Sequence, residues 1–405
     1  MRKSVKFIQQ DIPTMIFFIK KALRSGLLLA LFAMLPAVGC KTHPAASPKE
    51  GEMEEVVAAA PVVREKMKFA ELTPKKAALA QSLKTYFAQL NKSGFNGTAL
   101  FAENGEIVYS EAFGYANLKT KEPLTMESAF QLASVSKPIT SLAVLILKQE
   151  GKIGLDDSVR KYIPELPYPG ITIRHLLSHR SGLPNYMYFA EQDWPNKDIP
   201  MKNQDVIDLM VQHQYKPYYL PNKRYNYCNT NFVLLATIVE KVSGMKFEDF
   251  VQKRIFDPCK MVNSRIYNKN VSPINTNPVV GYPTGRAEAE NTFMNGVVGD
   301  KGVYCSVYDL LMLDQALYTD KLITEATRKE AFTPQHKDLR INDNYGLGWR
   351  LDLAESFNPA IYHTGWWRGF RSYFIRELGE KRTIIILCNT PRASRFNTRD
   401  LRERF

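Results

Sequence analysis

A chain of 405 residues can enclose a large core, and 45% apolar with 23% charged residues is the composition of an ordinary globular protein. The formal net charge of +13 does not indicate a nucleic-acid partner: residues 1–40 carry six Lys/Arg and one Asp, a net +5, which leaves +8, and the chain has no run of five or more like charges. We expect a mildly basic solvated surface, with attraction to an anionic envelope or anionic substrates as the alternative.

Residues 1–40 are predicted to be a signal peptide. Three basic residues precede an apolar run of 12 residues, LLLALFAMLPAV. This run is too short to span a bilayer, because a spanning helix needs roughly 20 residues. The run ends in AVGC, which resembles a bacterial lipobox, so we expect lipidation at Cys40; a conventional signal peptide or an uncleaved anchor is the alternative. Met15 is an alternative start. The sequence thus predicts export to the periplasm or cell surface, with lipid attachment to a bacterial membrane.

The elements that follow are predicted in chain order. Residues 41–66, rich in Ala, Pro and Glu, are predicted to be a flexible tether. Residues 74–91 show apolar positions at helical spacing, and strand-like runs on both sides of Asn104-Gly105 predict a β-hairpin. A helix follows Ser134, and further helices are predicted at 171–179, 203–213, 231–244 and 306–317. Strand-like runs return at 346–353, 370–378 and 382–389, before a short Arg-rich helix.

This order predicts a sheet made from both ends of the chain with helices inserted between them. Within a catalytic domain at 67–405, the sheet subdomain would comprise 67–155 and 296–405, and the helical subdomain 156–295. Active sites often lie in the cleft between two such parts.

The helix after Ser134 has an unusual entrance. Residues 139–147 are almost entirely apolar, which predicts a buried helix, yet Ser134 and Lys137 stand at its start. Pro138 is tolerated only in a first turn, so the helix must begin close to Ser134. Ser134 and Lys137 are then neighbours on one face, as a nucleophile and its base must be, although a helix cap and a solvated lysine would give the same pattern.

Two later segments carry polar groups of the same kind. In PNKRYNYCNTNF, Tyr227 and Asn229 place a phenol and an amide two residues apart, so that both side chains point the same way in an extended loop. YHTGWWRGF opens on His363-Thr364-Gly365, where glycine would let a substrate approach a strand edge closely.

The three motifs, in this order, resemble those of the serine β-lactamase and penicillin-recognising superfamily. Tyrosine in the second motif resembles the branch that holds class C β-lactamases, D-alanyl-D-alanine carboxypeptidases and related esterases. The resemblance runs from about residue 75 to 390 and is supported by ITIRHLLSHRSGLP, YCNTNFVLLATIVEKVSG, GDKGVYCSVYDL and YGLGW. It implies a β-lactamase-like α/β (α+β) fold, with an antiparallel sheet flanked by helices and an inserted all-helical domain.

The resemblance also implies roles for the motif residues. Ser134 would form an acyl-enzyme, and Tyr227, drawn towards phenolate by Lys137, would be the general base. Lys137 would also bind Ser134 and shuttle its proton. The backbone N–H groups of Ser134 and Trp366 would form the oxyanion hole, and Asn229 would orient the acyl group.

The third motif departs from class C β-lactamases, which usually carry Lys where this chain has His363. We expect His363, Thr364, Gly365 and Trp366 to bind substrate, with His363 able to aid proton transfer or to meet a carboxylate when protonated. Trp366 and Trp367 would form an aromatic wall at the cleft; packing of one of them between strand and helix is the alternative, because neighbours on a strand face opposite ways.

Other features are predicted to be structural. His175 and His179 fall in a block that resembles a structural part of the family, so no metal and no cofactor is expected. Asp300-Lys301 is interpreted as a surface turn. Cys228, Cys259, Cys305 and Cys388 are predicted to be buried free thiols, with three disulfide pairings as the alternative.

The function expected is an exported serine hydrolase, a peptidase or amidase of the D-alanyl-D-alanine carboxypeptidase type acting on D-amino-acid or cell-wall-derived peptides. An esterase acting on small acyl esters is the main alternative, and a β-lactamase or a catalytically silent binding protein are lesser ones. A small-molecule or peptide substrate and the membrane are the only partners expected, with no nucleic acid, and the protein is predicted to be a monomer.

Overall fold

The computed structural model of the protein describes residues 63–64, 66–266, 279–284, 287–289, 292–336, 344–353 and 358–405. The predicted signal peptide, the lipidation site Cys40 and nearly all of the predicted tether lie outside these residues. Arg64 falls within the predicted tether, yet its guanidinium pairs with Glu127 and with the buried Asp309. The chain is therefore already attached to the folded domain at Arg64.

A six-stranded antiparallel sheet, in the order β2-β1-β11-β10-β9-β8, is the main β structure of the described residues. Its strands and the shorter ones are β1 Gly97–Glu103, β2 Glu106–Phe113, β3 Tyr115–Asn117, β4 Glu122–Pro123, β5 Phe130–Gln131, β6 Arg265–Ile266, β7 Val303–Cys305, β8 Arg350–Asp352, β9 Ala360–Trp367, β10 Phe370–Glu377 and β11 Arg382–Cys388.

The pairing of β1 with β11 joins the two ends of the described chain. β1 and β2 form the predicted hairpin, and Asn104 and Gly105 both have positive φ, as the predicted tight turn requires. On the other side of β1, Leu100 lies opposite Ile385 in antiparallel register. The sheet built from both ends of the chain is confirmed.

Helices cover both faces of this sheet, as predicted. They are α1 Pro74–Lys92, α2 Ser136–Gln149, α3 Ile173–Leu177, α4 Tyr186–Asp193, α5 Asn203–His213, α6 Thr230–Ser243, α7 Phe247–Val251, α8 Val307–Ala316, α9 Glu325–Ala331 and α10 Thr398–Glu403. Alternation along the strands separates two cores: Phe101 and Ile384 pack with α1 and α10, whereas Leu100 and Ile385 share a core with α2 and α8.

Helices α3 to α7 form the middle of the chain, and α6 packs against α2, α3, α5 and α7. Within 156–295 the helices are accompanied by one short strand. Arg265–Ile266 pairs with Val303–Cys305 and so extends a small second sheet. The subdomain boundaries themselves remain predictions.

The state of the cysteines and the lengths of the helices are two further features of the described residues. Cys228, Cys259, Cys305 and Cys388 are buried free cysteines, as expected. Among the helices of the described residues, none is both long and apolar enough to cross a membrane.

Candidate active site

Ser134 lies in a tight turn that leads directly into α2. A single 3₁₀ turn, Ala133–Val135, precedes the helix, and Ala133 adopts a left-handed conformation with φ of 49°. From Ser136 to Leu147 every residue of α2 is buried, so the predicted buried helix is confirmed. Ser134 itself is partly exposed at the mouth of a cavity of about 620 Å³.

The Lys137 ammonium nitrogen is fully enclosed and has three polar neighbours. Its Nζ lies 3.0 Å from Ser134 Oγ, 2.8 Å from Asn229 Oδ1 and 3.0 Å from the Asp300 carbonyl oxygen. The amide and carbonyl oxygens can only accept hydrogen bonds, whereas the serine hydroxyl can also donate one. When Lys137 is neutral, its two N–H groups satisfy Asn229 and Asp300, and its lone pair faces Ser134.

Burial also makes the neutral form of Lys137 accessible. Desolvation is the largest influence and lowers the pKa of Lys137 to about 7, although the nearby Asp300 carboxylate raises it. An amine with this pKa can accept a proton near neutral pH. The geometry and the electrostatics of Lys137 therefore agree.

Tyr227 completes the group around the serine. It lies in the loop before α6, lines the same cavity as Ser134, and has its ring centroid 4.9 Å from Lys137 Nζ. The expectation that Lys137 draws this phenol towards phenolate is not met, because burial raises the pKa of Tyr227. The nearby Ser134 side chain and the Arg350 charge oppose that rise only in part. A neutral phenol is suited to passing a proton on rather than to holding a negative charge.

His179 binds the loop that carries Tyr227 through hydrogen bonds. Its Nδ1 accepts a hydrogen bond from the Cys228 backbone N–H at 3.1 Å, and its carbonyl accepts one from Asn226. The ring is completely buried and packs against the Tyr227 ring at a tilt of 36°, with centroids 4.2 Å apart. Sequence reasoning missed this role, although the block containing His179 was identified as structural.

Asn229 was expected to orient the acyl group of a substrate, but in the structure its side chain contacts other protein groups. Its side-chain oxygen accepts from Lys137, and its Nδ2 faces the Met187 sulfur at 3.3 Å. Asn229 still lines the cavity, so a role in orienting an acyl group stays a prediction.

The third motif lies on β9. Ala360–Tyr362 pair with β8, so only the half of β9 that carries the motif is an edge. A Cβ on Gly365 would lie 2.3 Å from the Leu132 carbonyl oxygen and 3.0 Å from Ala133 Cβ. Glycine is thus required for the approach of the turn that carries Ser134, rather than for the approach of a substrate alone.

The two tryptophans divide as expected of strand neighbours. Trp366 is 69% exposed, whereas the partly buried Trp367 donates from Nε1 to Asn295 Oδ1 at 3.0 Å. Both line the cavity, together with Thr364. The predicted aromatic wall is present in the structure.

The expectation that His363 meets substrate is not supported. Its ring is fully buried, and its Nε2 lies 3.0 Å from the Tyr345 hydroxyl. Desolvation is the largest influence on this ring, and together with the Arg350 charge it holds the pKa of His363 well below its ordinary value. His363 is absent from the cavity lining because its side chain points into the interior behind Tyr227.

Arg350 is a site residue that the sequence did not indicate. It follows the YGLGW block on β8, lines the cavity, and lies with its guanidinium 5.2 Å from the Tyr227 ring centroid. Its Nε is buried with no hydrogen-bond partner in the described part of the chain. Among the described residues, the side chains with the largest electrostatic influence on it are tyrosines: Tyr225, Tyr227, Tyr345 and Tyr362.

The surface-turn interpretation of Asp300-Lys301 is wrong. Asp300 is 1% and Lys301 3% exposed, and both line the inner wall of the cavity. The signal available in the sequence was a pair of charged residues that stands next to a glycine and directly before a short strand. Elsewhere, the described ranges contain no group of three His, Cys, Asp or Glu side chains that could hold a metal ion.

These contacts bring an alcohol, an amine and a phenol together in one cleft. Ser134 can attack a carbonyl carbon, Lys137 can accept the released proton, and Tyr227 can relay a proton. The arrangement is suited to acyl transfer through a covalent serine intermediate.

Comparison with known proteins agrees with this chemistry. The β-lactamase family model matches residues 83–405. Penicillin-binding protein 4* of Bacillus subtilis is 38% identical over 324 residues, which cover 76% of this chain and 71% of that protein. A putative D-alanyl-D-alanine carboxypeptidase of Escherichia coli is 27% identical, covering 72% of this chain and 77% of its own length.

A solved structure shares the fold. The penicillin-binding protein of Bacillus halodurans superposes with a TM-score of 0.66 at 25% identity, over 75% of this chain and 94% of that one. The chain therefore belongs to the β-lactamase family of serine hydrolases, which includes penicillin-binding proteins and D-alanyl-D-alanine carboxypeptidases.

Proposed function

We propose that this protein forms an acyl-enzyme at Ser134 and acts as a peptidase or amidase of the D-alanyl-D-alanine carboxypeptidase type on D-amino-acid or cell-wall-derived peptides. The observation that carries the proposal is the contact of Lys137 Nζ with Ser134 Oγ at 3.0 Å, with the other two partners of Lys137 able only to accept.

The steps follow from these contacts. The Ser134 hydroxyl gives its proton to the lone pair of Lys137 as its oxygen attacks the substrate carbonyl carbon. The C–N bond then breaks, the leaving nitrogen takes up a proton through Tyr227, and water hydrolyses the resulting ester. We assign the oxyanion hole to the backbone N–H groups of Ser134 and Trp366; losing one such donor typically costs ~3 kcal/mol of transition-state stabilisation.

Arg350 supports a substrate that carries a carboxylate. It is a partly buried cation at the cavity, and within the described ranges the side chains with the largest electrostatic influence on it are tyrosines rather than acidic groups. A partly buried cation without a counter-ion favours an anionic ligand. The free carboxylate at the end of a peptide meets this requirement, and the E. coli relative named as a putative carboxypeptidase is consistent with it.

We further propose that the protein is exported and anchored through a lipid on Cys40, where the AVGC sequence follows the apolar run. The short apolar run and the Ala-, Pro- and Glu-rich segment after it support this placement. It would bring the catalytic domain close to the cell wall.

The test of the catalytic proposal is active-site labelling. The chain from residue 41 is incubated with a fluorescent penicillin and, separately, with a fluorophosphonate, beside the Ser134→Ala variant. We expect both probes to label the wild-type chain and neither to label the variant, because the attacking oxygen is then absent.

The other outcomes distinguish the alternatives. Labelling by the fluorophosphonate alone would favour an esterase, and rapid turnover of a chromogenic cephalosporin would favour a β-lactamase. A wild-type chain that neither probe labels would contradict a catalytic role altogether.

A further inference from the structure

Asp300 and Lys301 form a buried ion pair on the inner wall of the cavity. Lys301 Nζ lies 3.5 Å from Asp300 Oδ1. The Tyr186 hydroxyl bridges the two charges: it accepts from Lys301 Nζ at 2.7 Å and donates to Asp300 Oδ2 at 3.1 Å. Both charged side chains and the phenol are thereby held in a single arrangement.

The backbone of the same segment is attached to α2. The Asp300 carbonyl oxygen accepts from Lys137 Nζ at 3.0 Å, and the Gly299 carbonyl oxygen accepts from Thr140 Oγ1 at 2.7 Å. Gly299 has a φ of 103°, and a Cβ there would lie 2.3 Å from the Phe232 carbonyl oxygen. The segment therefore has little freedom, and its position fixes one of the two acceptors of Lys137.

The pair also connects the walls of the cleft. Lys301 donates to the Val297 carbonyl at 3.2 Å, and its Nζ lies 5.3 Å from the Trp367 ring centroid. Tyr186 precedes Met187, which lines the cavity. Elements α2, α4 and β9 thus meet at these two charges.

Stability alone does not explain this pair. A buried ion pair is often no more stabilising than apolar side chains of similar volume, because desolvation offsets the attraction. Its contact with Lys137 gives it a second use. In the same fold, Arg376 and Asp314 form another fully buried pair, which lies away from the cavity lining and serves as a reference.

We propose that Asp300, Lys301 and Tyr186 are positioning residues that hold the Asp300 carbonyl against Lys137 and so direct the Lys137 lone pair at Ser134. The proposal rests on the proposed function and extends it beyond the three motifs. It assigns no contact with the substrate to this group.

The charges around Lys137 allow the proposal to be tested through the pH dependence of labelling. The Asp300 carboxylate favours protonated Lys137, whereas the Lys301 ammonium disfavours it. The other titratable or charged groups that face Lys137 come from several elements: Tyr227, Cys228, His179, Arg350 and His363. Removing one member of the Asp300–Lys301 pair leaves these neighbours unchanged.

The experiment measures the rate of labelling by fluorescent penicillin as a function of pH. Asp300→Asn leaves the Lys301 charge unbalanced, so we expect the rise in rate to move to lower pH. Lys301→Met leaves the Asp300 charge unbalanced, so the rise should move to higher pH. In both variants the maximal rate should fall by about tenfold or more, since a displaced carbonyl misdirects the base.

Tyr186→Phe tests the geometry without changing a charge. It removes only the bridging hydroxyl, and we expect labelling slowed by about tenfold with little movement of the pH profile. Tyr168→Phe is its matched control, because the Tyr168 hydroxyl is bound to the Tyr215 carbonyl away from the cavity. Asp314→Asn is the control for losing a buried charge.

Thermal unfolding of each variant shows whether it is folded. If a charge variant does not fold, Tyr186→Phe still tests the proposal. Pair variants that move the pH profile in the same direction, or that label like the wild type, would overturn the positioning role alone. So would control variants that slow labelling equally. A wild-type chain labelled by neither penicillin nor fluorophosphonate would overturn the proposed function, and this role with it.

Discussion

The arrangement around Lys137 is defined by the direction of its hydrogen bonds as well as by its charge. The sequence placed Lys137 beside Ser134 on one helix face, and the structure has the two atoms 3.0 Å apart. The sequence could not show that Asn229 and Asp300 occupy the remaining donors, because those residues lie 92 and 163 positions away along the chain. Which group is the better base therefore depends on tertiary contacts.

The rate of acylation should depend on the protonation of Lys137. Burial lowers the pKa of Lys137 to about 7, so the amine is protonated below this pH and its lone pair is unavailable. We expect labelling by fluorescent penicillin to rise about tenfold per pH unit below 7 and to level off above it.

Two variants identify the group responsible. Tyr227→Phe should be slower but should keep the rise near pH 7, whereas Lys137→Arg should be inactive at every pH, because a guanidinium stays protonated. If the rise in labelling rate near pH 7 disappears in Tyr227→Phe, the phenol of Tyr227 rather than Lys137 is the titrating group.

At the scale of elements, the site depends on how closely β9 approaches the 3₁₀ turn before α2. Three side chains of different origin, from the turn, α2 and the loop before α6, converge only because this approach fixes Ser134. The sequence predicted each element near its observed position, but periodicity gives no information on the distance between elements.

Gly365→Ala tests that approach. Its Cβ would lie 2.3 Å from both the Leu132 carbonyl oxygen and Ser372 Oγ, so the turn carrying Ser134 must shift. We expect a loss of about 1–3 kcal/mol in the free energy of unfolding and a large loss of penicillin labelling.

Gly379→Ala is the matched control, because a Cβ at Gly379 has no heavy atom within 4 Å. It should label and unfold like the wild type. Normal labelling in Gly365→Ala would show that the close approach is not needed for catalysis.

At the scale of the whole molecule, the catalytic domain is closed by strands from both ends of the chain. β1 pairs with β11, and α1 shares a core with Leu401 of α10. This closure could be predicted, since strand-like patterns stand at both ends and helical ones between them. The short strand β6 could not be predicted, because two residues are too few to show a periodic pattern.

At this scale we also propose that Cys40 determines the location of the protein. In fractionated bacterial cells, we expect the wild-type chain in the detergent-soluble membrane fraction and Cys40→Ser lost from it, because the anchoring thiol is absent. Ser134→Ala should distribute like the wild type, as it changes only the active site. Recovery of the wild-type chain without detergent would contradict lipid anchoring.

The sequence by itself determined the family and predicted Ser134, Lys137 and Tyr227 as the residues of the site, because these depend on local spacing and on motif order. Tertiary structure decided which side chains face the cavity. It turned His363 into the interior, brought Arg350 to Tyr227, and buried Asp300 with Lys301. The physical reason is that desolvation and hydrogen-bond direction depend on the atoms around a group, and most of those atoms come from distant parts of the chain.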